Sequence, residues 1–375
     1  MTFPRWPDYT DDVVLSVCVL FGPIAAVRVE WPEPGVSMHA RLQQRVLVGG
    51  TFFPIRVASL RVDTIVHFDF YIRSRPAAPP VLYRERNLPF TEETKYRLAE
   101  SSVAELFVPS GQVAEYRRYV EANLNAVLSD PDVDIVERSE VLYDSASGLV
   151  KDAFENPRSG EVLQRSRALV ENAVSFVFTQ QASVESLLKV TSTDYYTYTH
   201  CVNVFVFSIA FARRLGLEGQ TVLNQANGAL LHDIGKCRIP ASVLNNPGKL
   251  TAEEWEQMKL HPVHGYDLLR SQGVQDDVML DVTRHHHEKL TGKGYPDNLP
   301  GVEISMFARM STISDIFDAL TTRRSYKDAM TSFDALRLMK KEMAQELDHD
   351  LFESFVEMMG DTSGEKVAKG MSFAG

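Results

Sequence analysis

Histidines and aspartates are concentrated in one stretch of this chain. Seven of its ten histidines lie between His200 and His287, and the pair His232-Asp233 and the later Asp315 belong to the same pattern. Histidine and aspartate without cysteine are the side chains that bind a hard-to-borderline divalent metal ion and leave coordination positions open for a substrate. Scattered core histidines would not bunch in this way, so the sequence predicts a metal site.

The adjacent residues His232 and Asp233 favour a site with two ions. Neighbouring side chains diverge by about 100° on a helix of 3.6 residues per turn, so they do not easily grip one ion from the same side. They can serve two ions if the aspartate bridges them, as in sites where the ions lie roughly 3.5–4 Å apart. Lys236 follows on the turn, where its ammonium group can reach a phosphate oxygen.

A further helix carries two more candidate ligands. Thr251 and Glu254 form a capping box that opens this helix. Pro262 lacks an N–H group, so we expect it to kink or end the helix at His261. His264 lies on the same helical face, and either histidine could therefore be a ligand.

Three consecutive histidines and a glycine-rich turn come next. His285, His286 and His287 point in different directions, so two neighbours can supply adjacent ions, and we favour His286 and His287. Glu288 is placed to orient a histidine through its second ring N–H. The Gly-Lys-Gly-Tyr-Pro sequence at 292–296 predicts a turn whose glycines let the backbone approach a ligand closely.

Two aspartates interrupt a later apolar helix. Asp315 and Asp318 are three residues apart and therefore share a helical face. Two buried carboxylates without partners would be costly. We expect a metal ion at Asp315, and we expect the basic run 323–327, with Arg324 and Lys327, to serve either Asp318 or the substrate phosphate.

The elements that hold these residues are mainly helical from residue 138 onward. Apolar residues recur at helical spacing over 138–190, interrupted once by a segment with proline and glycine. The next helices are predicted over 196–214, where Gly216 supplies the left-handed cap, and over 220–234, where Gly235 ends the helix.

Residues 52–130 predict a small α/β module without a catalytic cluster. The predicted fold class of the chain is therefore α+β, in which this module precedes an all-α helical domain at the C-terminus. Thr91 is the expected N-cap of its first helix, with Thr94 at the N3 position. The remaining elements of the module are strands over 53–57, 63–70, 81–84 and 105–108 and a helix over 113–127. The expected units are a poorly readable segment 1–50, the module 51–130, a helical connector 131–190 and the helical domain 191–375.

Composition excludes several classes of partner. The net charge of −11 over 375 residues argues against DNA or RNA and against an anionic membrane surface, since both require a basic face. The apolar stretch 13–27 is too short to span a bilayer and has no basic leader. Three cysteines cannot form a disulfide framework, which favours a reducing cytoplasm. Met38 is an alternative start of the natural chain.

The motifs over roughly 190–345 resemble those of the HD-GYP family, bacterial cyclic di-GMP phosphodiesterases of the HD metal-dependent phosphohydrolase superfamily. The matching residues are His-Asp-Ile-Gly-Lys at 232–236, Lys-Leu-His-Pro at 259–262, His-His-Glu at 286–288, Gly-Tyr-Pro at 294–296, Asp315, Phe-Asp-Ala-Leu at 317–320, and Arg324 with Tyr326 and Lys327. The combination of these residues at these spacings is specific, unlike an isolated His-Asp pair.

The resemblance implies a role for each matching residue. It implies an HD-type helical domain with two divalent metal ions, iron or manganese, and a catalytic role for Asp233 and Lys236. It also implies substrate contacts at Lys236, Tyr295, Arg324 and Lys327. The implied metal ligands are His200, His232, Asp233, His261, His286, His287 and Asp315.

The sequence departs from the family pattern at three positions. Tyr196 stands where some members carry a carboxylate that holds a third metal ion, so we expect two ions. Thr291 replaces the usual aspartate before the first loop glycine, and Ser325 replaces the usual proline after the arginine. Neither position is an implied metal ligand.

The implied function is hydrolysis of the 3′,5′-phosphodiester of cyclic di-GMP to linear pGpG, with GMP after a second cleavage. One alternative is a catalytically inactive protein that binds cyclic di-GMP, or a partner protein, for signalling. The other is an HD-type hydrolase of different nucleotides or phosphomonoesters. A homodimer through 138–190 is compatible with the sequence, although no sustained heptad pattern supports it.

Overall fold

A computed structural model of the chain describes residues 52–73, 78–192, 196–246, 248–323 and 328–362. The expectations for the segment 1–50, including Met38, and for Arg324 and Lys327 lie outside these residues. No helix of the described ranges is both long enough and apolar enough to cross a membrane.

The β-rich module precedes the helices, as expected for an α+β chain. The strands are β1 Phe52–Arg56, β2 Thr64–Val66, β3 Phe70–Ile72, β4 Val81–Arg84, β5 Leu88–Phe90 and β6 Glu105–Pro109, with helices α1 Glu92–Glu100 and α2 Val113–Leu128. Four strands form an antiparallel sheet in the order β1-β6-β3-β4, and β2 pairs with β5. Thr91 caps the first helix, because its hydroxyl accepts the N–H of Thr94 at 3.2 Å.

The prediction of one continuous strand over 63–70 is wrong, because the structure has two separate strands here, β2 and β3. The N–H of Asp69 donates to the side chain of Gln112 at 2.6 Å and not to a neighbouring strand. Burial still alternates along the chain across this break, since Val66, Phe68 and Phe70 are all buried.

Twelve helices follow the module within the described residues. They are α3 Ile135–Glu155, α4 Gly160–Thr179, α5 Ser183–Val190, α6 Thr197–Arg214, α7 Gln220–Leu231, α8 Ala241–Leu244, α9 Ala252–Met258, α10 His261–Ser271, α11 Asp277–His285, α12 Met306–Thr321, α13 Ser332–Glu342 and α14 His349–Thr362.

Two hydrophobic clusters organise these helices. One runs without interruption from Ile55 in the sheet, through α3 to α7, to Leu280 in α11. The other surrounds Phe207, Phe317 and Phe355, whose rings meet edge to face. The first cluster joins the β module to the helices that carry the histidines, because their apolar residues bury one another.

Two helices end earlier than the sequence predicts. α7 stops at Leu231, and a 3₁₀ turn, Ile234–Arg238, follows. The helix expected to end at His261 already ends at Met258, and α10 begins at His261 with Pro262 in its first turn. Proline is tolerated there because the N–H groups of the first turn have no partner within the helix.

Gly235 allows the 3₁₀ turn to lie directly against the start of α10. A Cβ atom at this position would lie 2.0 Å from the carbonyl oxygen of His261 and 2.3 Å from the amide nitrogen of Gly265. Both neighbours are backbone atoms, which cannot rotate away. The close approach brings the chain around Asp233 next to His261.

We expect Gly235→Ala to lower the free energy of unfolding by about 3 kcal/mol or more, the upper range of overpacking effects, because backbone must move to admit the methyl group. The midpoint of thermal unfolding measures this. Gly111→Ala is the control, since a Cβ at Gly111 meets no atom within 4 Å. Equal midpoints for the two variants would contradict the close approach.

Candidate metal centre

The seven candidate ligands are all buried, and the structure brings them together. They come from α6, from the turn after α7, from the first residue of α10, from the two residues after α11 and from α12. Within each of two groups, one possible ligand atom per residue lies within 4.8 Å of the others. The first group contains His200, His232 and Asp315, and the second contains Asp233, His261, His286 and His287.

Asp233 lies between the two groups and faces both. Its Oδ1 is 3.1 Å from Nε2 of His261. Its Oδ2 is 3.5 Å from Nε2 of His232 and 3.6 Å from Nε2 of His200. One oxygen is therefore directed to each group, which is the arrangement that a bridging carboxylate requires.

Three of the histidines follow the end of a helix and use it to fix their rings. Nδ1 of His232 lies 2.7 Å from the carbonyl oxygen of Ala229, and Nδ1 of His261 lies 2.8 Å from that of Met258. Nδ1 of His286 lies 3.0 Å from the carbonyl oxygen of Thr283. Each acceptor is three residues earlier, where the last carbonyls of a helix have no partner within it.

These contacts decide which nitrogen of each ring carries the hydrogen. A carbonyl oxygen can only accept, so Nδ1 donates, and in a neutral ring Nε2 then keeps its lone pair. The Nε2 atoms of His261 and His286 are 3.3 Å apart. Burial lowers the pKa of His286 far below its usual value, so Nε2 of this ring carries a lone pair. Two ring nitrogens that face each other at this distance favour a cation nearby, and the residues therefore fit a divalent metal ion.

His200 is held by carboxylates on both sides of its ring. Nδ1 lies 2.7 Å from Oδ2 of Asp318, and Nε2 lies 3.1 Å from Oδ1 of Asp315. Burial alone would lower the pKa of His200, but its hydrogen bonds to Asp315 and Asp318 raise it to about 9. The position therefore attracts positive charge, which a metal ion would supply in place of the proton.

The buried carboxylate of Asp233 is kept ionised by its neighbours. Burial acts to raise its pKa, but the Lys236 ammonium and the nearby histidines outweigh this and hold the pKa well below the usual range. Nζ of Lys236 is 2.7 Å from Oδ2 of Asp233, and the lysine is buried. Lys236, expected to reach a phosphate, thus forms an ion pair with this aspartate.

The hydrogen-bond partners of Asp318 within the described residues lie outside the basic run. Its carboxylate accepts hydrogen bonds from His200 and from Nδ2 of Asn203, each at 2.7 Å. Arg323, the member of the run within the described residues, is exposed. The spacing from Asp315 correctly placed both aspartates on the same buried face, but it could not identify a partner 118 residues away in the sequence.

Among the described residues, the side-chain hydrogen bonds of Glu288 go to the loop after α11 and not to a histidine. Its carboxylate accepts the backbone N–H groups of Asp297, Asn298 and Leu299 at 2.7, 3.0 and 3.1 Å. Gly294 is required here, because a Cβ would lie 2.4 Å from the Cα atom of Glu288. The turn predicted over 292–296 is therefore folded tightly back onto the end of α11.

The loop places an aromatic side chain against the ligand histidines. The ring centroid of Tyr295 is 4.7 Å from that of His287, and the tyrosine N–H donates to the carbonyl of His287 at 3.2 Å. Trp255, which sequence reasoning did not consider, lies 6.1 Å from Tyr295, edge to face. The sequence feature that could have indicated Trp255 is its position in α9, shortly before His261.

Three other candidates lie beside the two ligand groups. His264 is half-buried and belongs to neither group. His285 lies between Asp281 and Asp297, at 2.7 and 3.0 Å. Cys201 lies close to His232 and Asp233, but burial raises the pKa of its thiol well above the usual value, so it remains protonated.

We expect Asp318→Asn to weaken metal binding about 10- to 100-fold, the loss typical of changes to groups that hold a ligand histidine. The asparagine side chain has the size of the carboxylate, but it has only one oxygen to accept the two hydrogen bonds that His200 and Asn203 donate to Asp318. Competition with a fluorescent chelator for Mn²⁺ measures the affinity. Asp350→Asn removes a fully exposed carboxylate and is the control. Unchanged affinity in Asp318→Asn would show that the hydrogen bond does not hold the ligand.

Comparison with known proteins gives concordant matches. The sequence model of the HD domain family matches residues 182–351. A cyclic di-GMP phosphodiesterase of Pseudomonas aeruginosa is 32% identical over 277 residues, which cover 70% of this chain and 67% of that protein. The cyclic di-GMP phosphodiesterase response regulator RpfG of Xanthomonas campestris is 46% identical over 126 residues, 33% of each chain.

Two further matches concern a different nucleotide and a solved structure. The 3'3'-cGAMP-specific phosphodiesterase 2 of Vibrio cholerae is 40% identical over 136 residues, 36% of this chain and 26% of that protein. The solved structure of Bd1817, an HDG"Y"P protein from Bdellovibrio bacteriovorus, matches with a TM-score of 0.60 at 22% identity. It covers 82% of this chain and 99% of that one, and at this identity the likeness concerns the fold.

Proposed function

This chain belongs to the HD-GYP family of HD-domain proteins, and from that premise we propose that it is a metal-dependent phosphodiesterase that hydrolyses cyclic di-GMP. The observation that carries the proposal is the complete set of seven buried ligands, arranged in two groups around Asp233. A protein that only bound the nucleotide would not need two adjacent cation sites.

The identity of the substrate is supported by the relatives. The Pseudomonas relative, which this chain matches over 67% of its length, is a cyclic di-GMP phosphodiesterase, and so is RpfG, matched over 33%. We propose linear pGpG as the first product and GMP as the product of a second cleavage.

We propose that two divalent ions, iron or manganese, are held by the seven ligands, with Asp233 between them. When bound, such ions supply Lewis acidity and a water nucleophile that is deprotonated near neutral pH. The chain itself orients the site: backbone carbonyls fix the rings of His232, His261 and His286, and Asp318 fixes His200. Lys236 keeps Asp233 ionised and adds positive charge beside the site of the phosphate.

Substrate contacts are proposed at the rim of the ligand groups. Tyr295 lies against His287 and is half-buried, so part of its ring is open to a bound nucleotide. Arg324 and Lys327 are retained from the family motif as phosphate contacts. Arginine can pair two of its N–H groups with phosphate oxygens, which gives direction as well as charge.

A second substrate is favoured by one specific comparison. The Vibrio cholerae relative at 40% identity is specific for 3'3'-cGAMP, although this chain spans only 26% of its length. This nucleotide differs from cyclic di-GMP in one base, and the phosphodiester chemistry is the same. The ligand groups do not distinguish the two, so both belong in any substrate panel.

The remaining features of the proposal concern location and partners. We place the protein in the cytoplasm, since the described cysteines, Cys201 and Cys237, are both free. The net charge of −11 supports a small nucleotide as partner and not a nucleic acid or an anionic membrane. A homodimer through the connector helices stays a proposal.

The function is tested with protein purified without oxygen, by metal analysis followed by chromatography of the products from cyclic di-GMP and 3'3'-cGAMP. We expect about two ions per chain, the number that a binuclear site needs, and release of pGpG or GMP. Asp233→Ala should lose turnover and metal together, because this residue faces both groups. Bound metal with both nucleotides intact would indicate a binding protein or another substrate, and full activity of Asp233→Ala would contradict the binuclear site.

We expect Arg324→Ala to raise KM for cyclic di-GMP by about 10-fold or more, the effect of one lost charge-assisted hydrogen bond of about 1.5–3 kcal/mol. The metal content should stay at the wild-type value, because the residue is not a proposed ligand. Steady-state kinetics with parallel metal analysis measures both. A loss of metal in this variant would mean that the basic run supports the ligands and not the substrate.

A further inference from the structure

A continuous chain of hydrogen bonds leads from the connector helix α3 to the ligand His200. The hydroxyl of Tyr143 donates to Oδ1 of Asn203 at 2.8 Å. Nδ2 of Asn203 donates to Oδ1 of Asp318 at 2.7 Å, and Oδ2 of Asp318 accepts from Nδ1 of His200 at 2.7 Å. All four side chains are buried.

The direction of each bond follows from the chemistry of its ends. A carboxylate only accepts, so the amide of Asn203 must turn its NH₂ group to Asp318 and its oxygen to Tyr143. The backbone of Ser192 supports the same orientation, because its carbonyl accepts from Nδ2 at 2.9 Å and its N–H donates to Oδ1 at 3.2 Å. Burial raises the pKa of Tyr143 well above its usual value, so the hydroxyl keeps its hydrogen.

We propose that Tyr143 is a positioning residue of the metal centre, which fixes the ring of His200 through Asn203 and Asp318 from a helix outside the HD domain. The metal centre on which this inference rests is that of the proposed function, but the identity of the substrate does not enter it. Tyr143 lies in α3, whereas the match to the HD domain family begins at residue 182.

The same part of α3 is in contact with the β module. Nη1 of Arg56 in β1 is 2.6 Å from the carboxylate of Glu140, and its Nε is 3.7 Å from that of Asp144. Glu140 precedes Tyr143 by three residues and Asp144 follows it directly. One segment of helix therefore contacts the sheet through Glu140 and Asp144 and contacts Asn203 through the tyrosine hydroxyl.

The test is Tyr143→Phe in the full chain, stripped of metal and titrated with Mn²⁺ against a fluorescent chelator. We expect affinity to fall about 10-fold, the low end of the range for residues that orient a ligand from outside the coordination sphere. Tyr119→Phe is the matched control. Like Tyr143→Phe, this variant loses a buried tyrosine hydroxyl. The hydroxyl of Tyr119 lies in the β module, where it accepts the N–H of Arg61 at 2.8 Å.

A merely structural role and the positioning role give different results. If Tyr143 only stabilised the fold, both variants would lower the unfolding midpoint and leave Mn²⁺ affinity unchanged, which would overturn the proposal. Because Tyr143 is proposed to act through Asp318, adding Tyr143→Phe to Asp318→Asn should lower the Mn²⁺ affinity little further. Losses of affinity that add fully in the double variant would also overturn the proposal. Asn203→Ala, which breaks the same chain, decides the question if Tyr143→Phe does not fold.

The readout separates this inference from the proposed activity. Metal affinity is measured without nucleotide, so a protein that binds Mn²⁺ but leaves cyclic di-GMP intact would contradict the proposed function and still test the role of Tyr143. Wild-type affinity in Tyr143→Phe with normal cleavage of cyclic di-GMP would contradict the inference alone.

Discussion

The burial of three carboxylates among packed helices is the constraint on which the rest of this structure depends. Asp233, Asp315 and Asp318 are each almost inaccessible to solvent, and a buried charge is stable only when cations or hydrogen-bond donors compensate it. Lys236 and His200 supply part of that compensation. The remaining ring nitrogens converge on the carboxylates, an arrangement that fits metal ions.

The backbone builds this site from helix ends. Three ligand histidines follow the last turns of α7, α9 and α11 and bond to carbonyls that those helices leave without a partner. The C-terminal ends of helices carry partial negative charge, which favours a cation nearby. The close contact of Gly235 with α10 then brings the chain around Asp233 next to His261. Local hydrogen bonds to the helix carbonyls orient these three rings.

The β module and the connector are part of the same folded body as the site. A single hydrophobic cluster extends from Ile55 to Leu280. The Tyr143–Asn203–Asp318 chain adds a polar connection across that cluster, in a region where unsatisfied polar groups would be costly. The candidate ligand His200 is therefore connected by hydrogen bonds to a residue of α3, well before the segment that carries the candidate ligands.

The sequence by itself determined the family and most helices and strands, and it predicted the candidate ligand residues that the fold brings together, because residue spacing and capping signals are local properties of the chain. It missed the early end of α7 and the break before β3, because backbone packing at Gly235 and the side chain of Gln112 decide them. The partners of Asp318 and Glu288 were also beyond its reach. A buried carboxylate takes whichever donors the fold brings near it, and only the tertiary structure decides that Asn203 and the backbone of 297–299 are those donors.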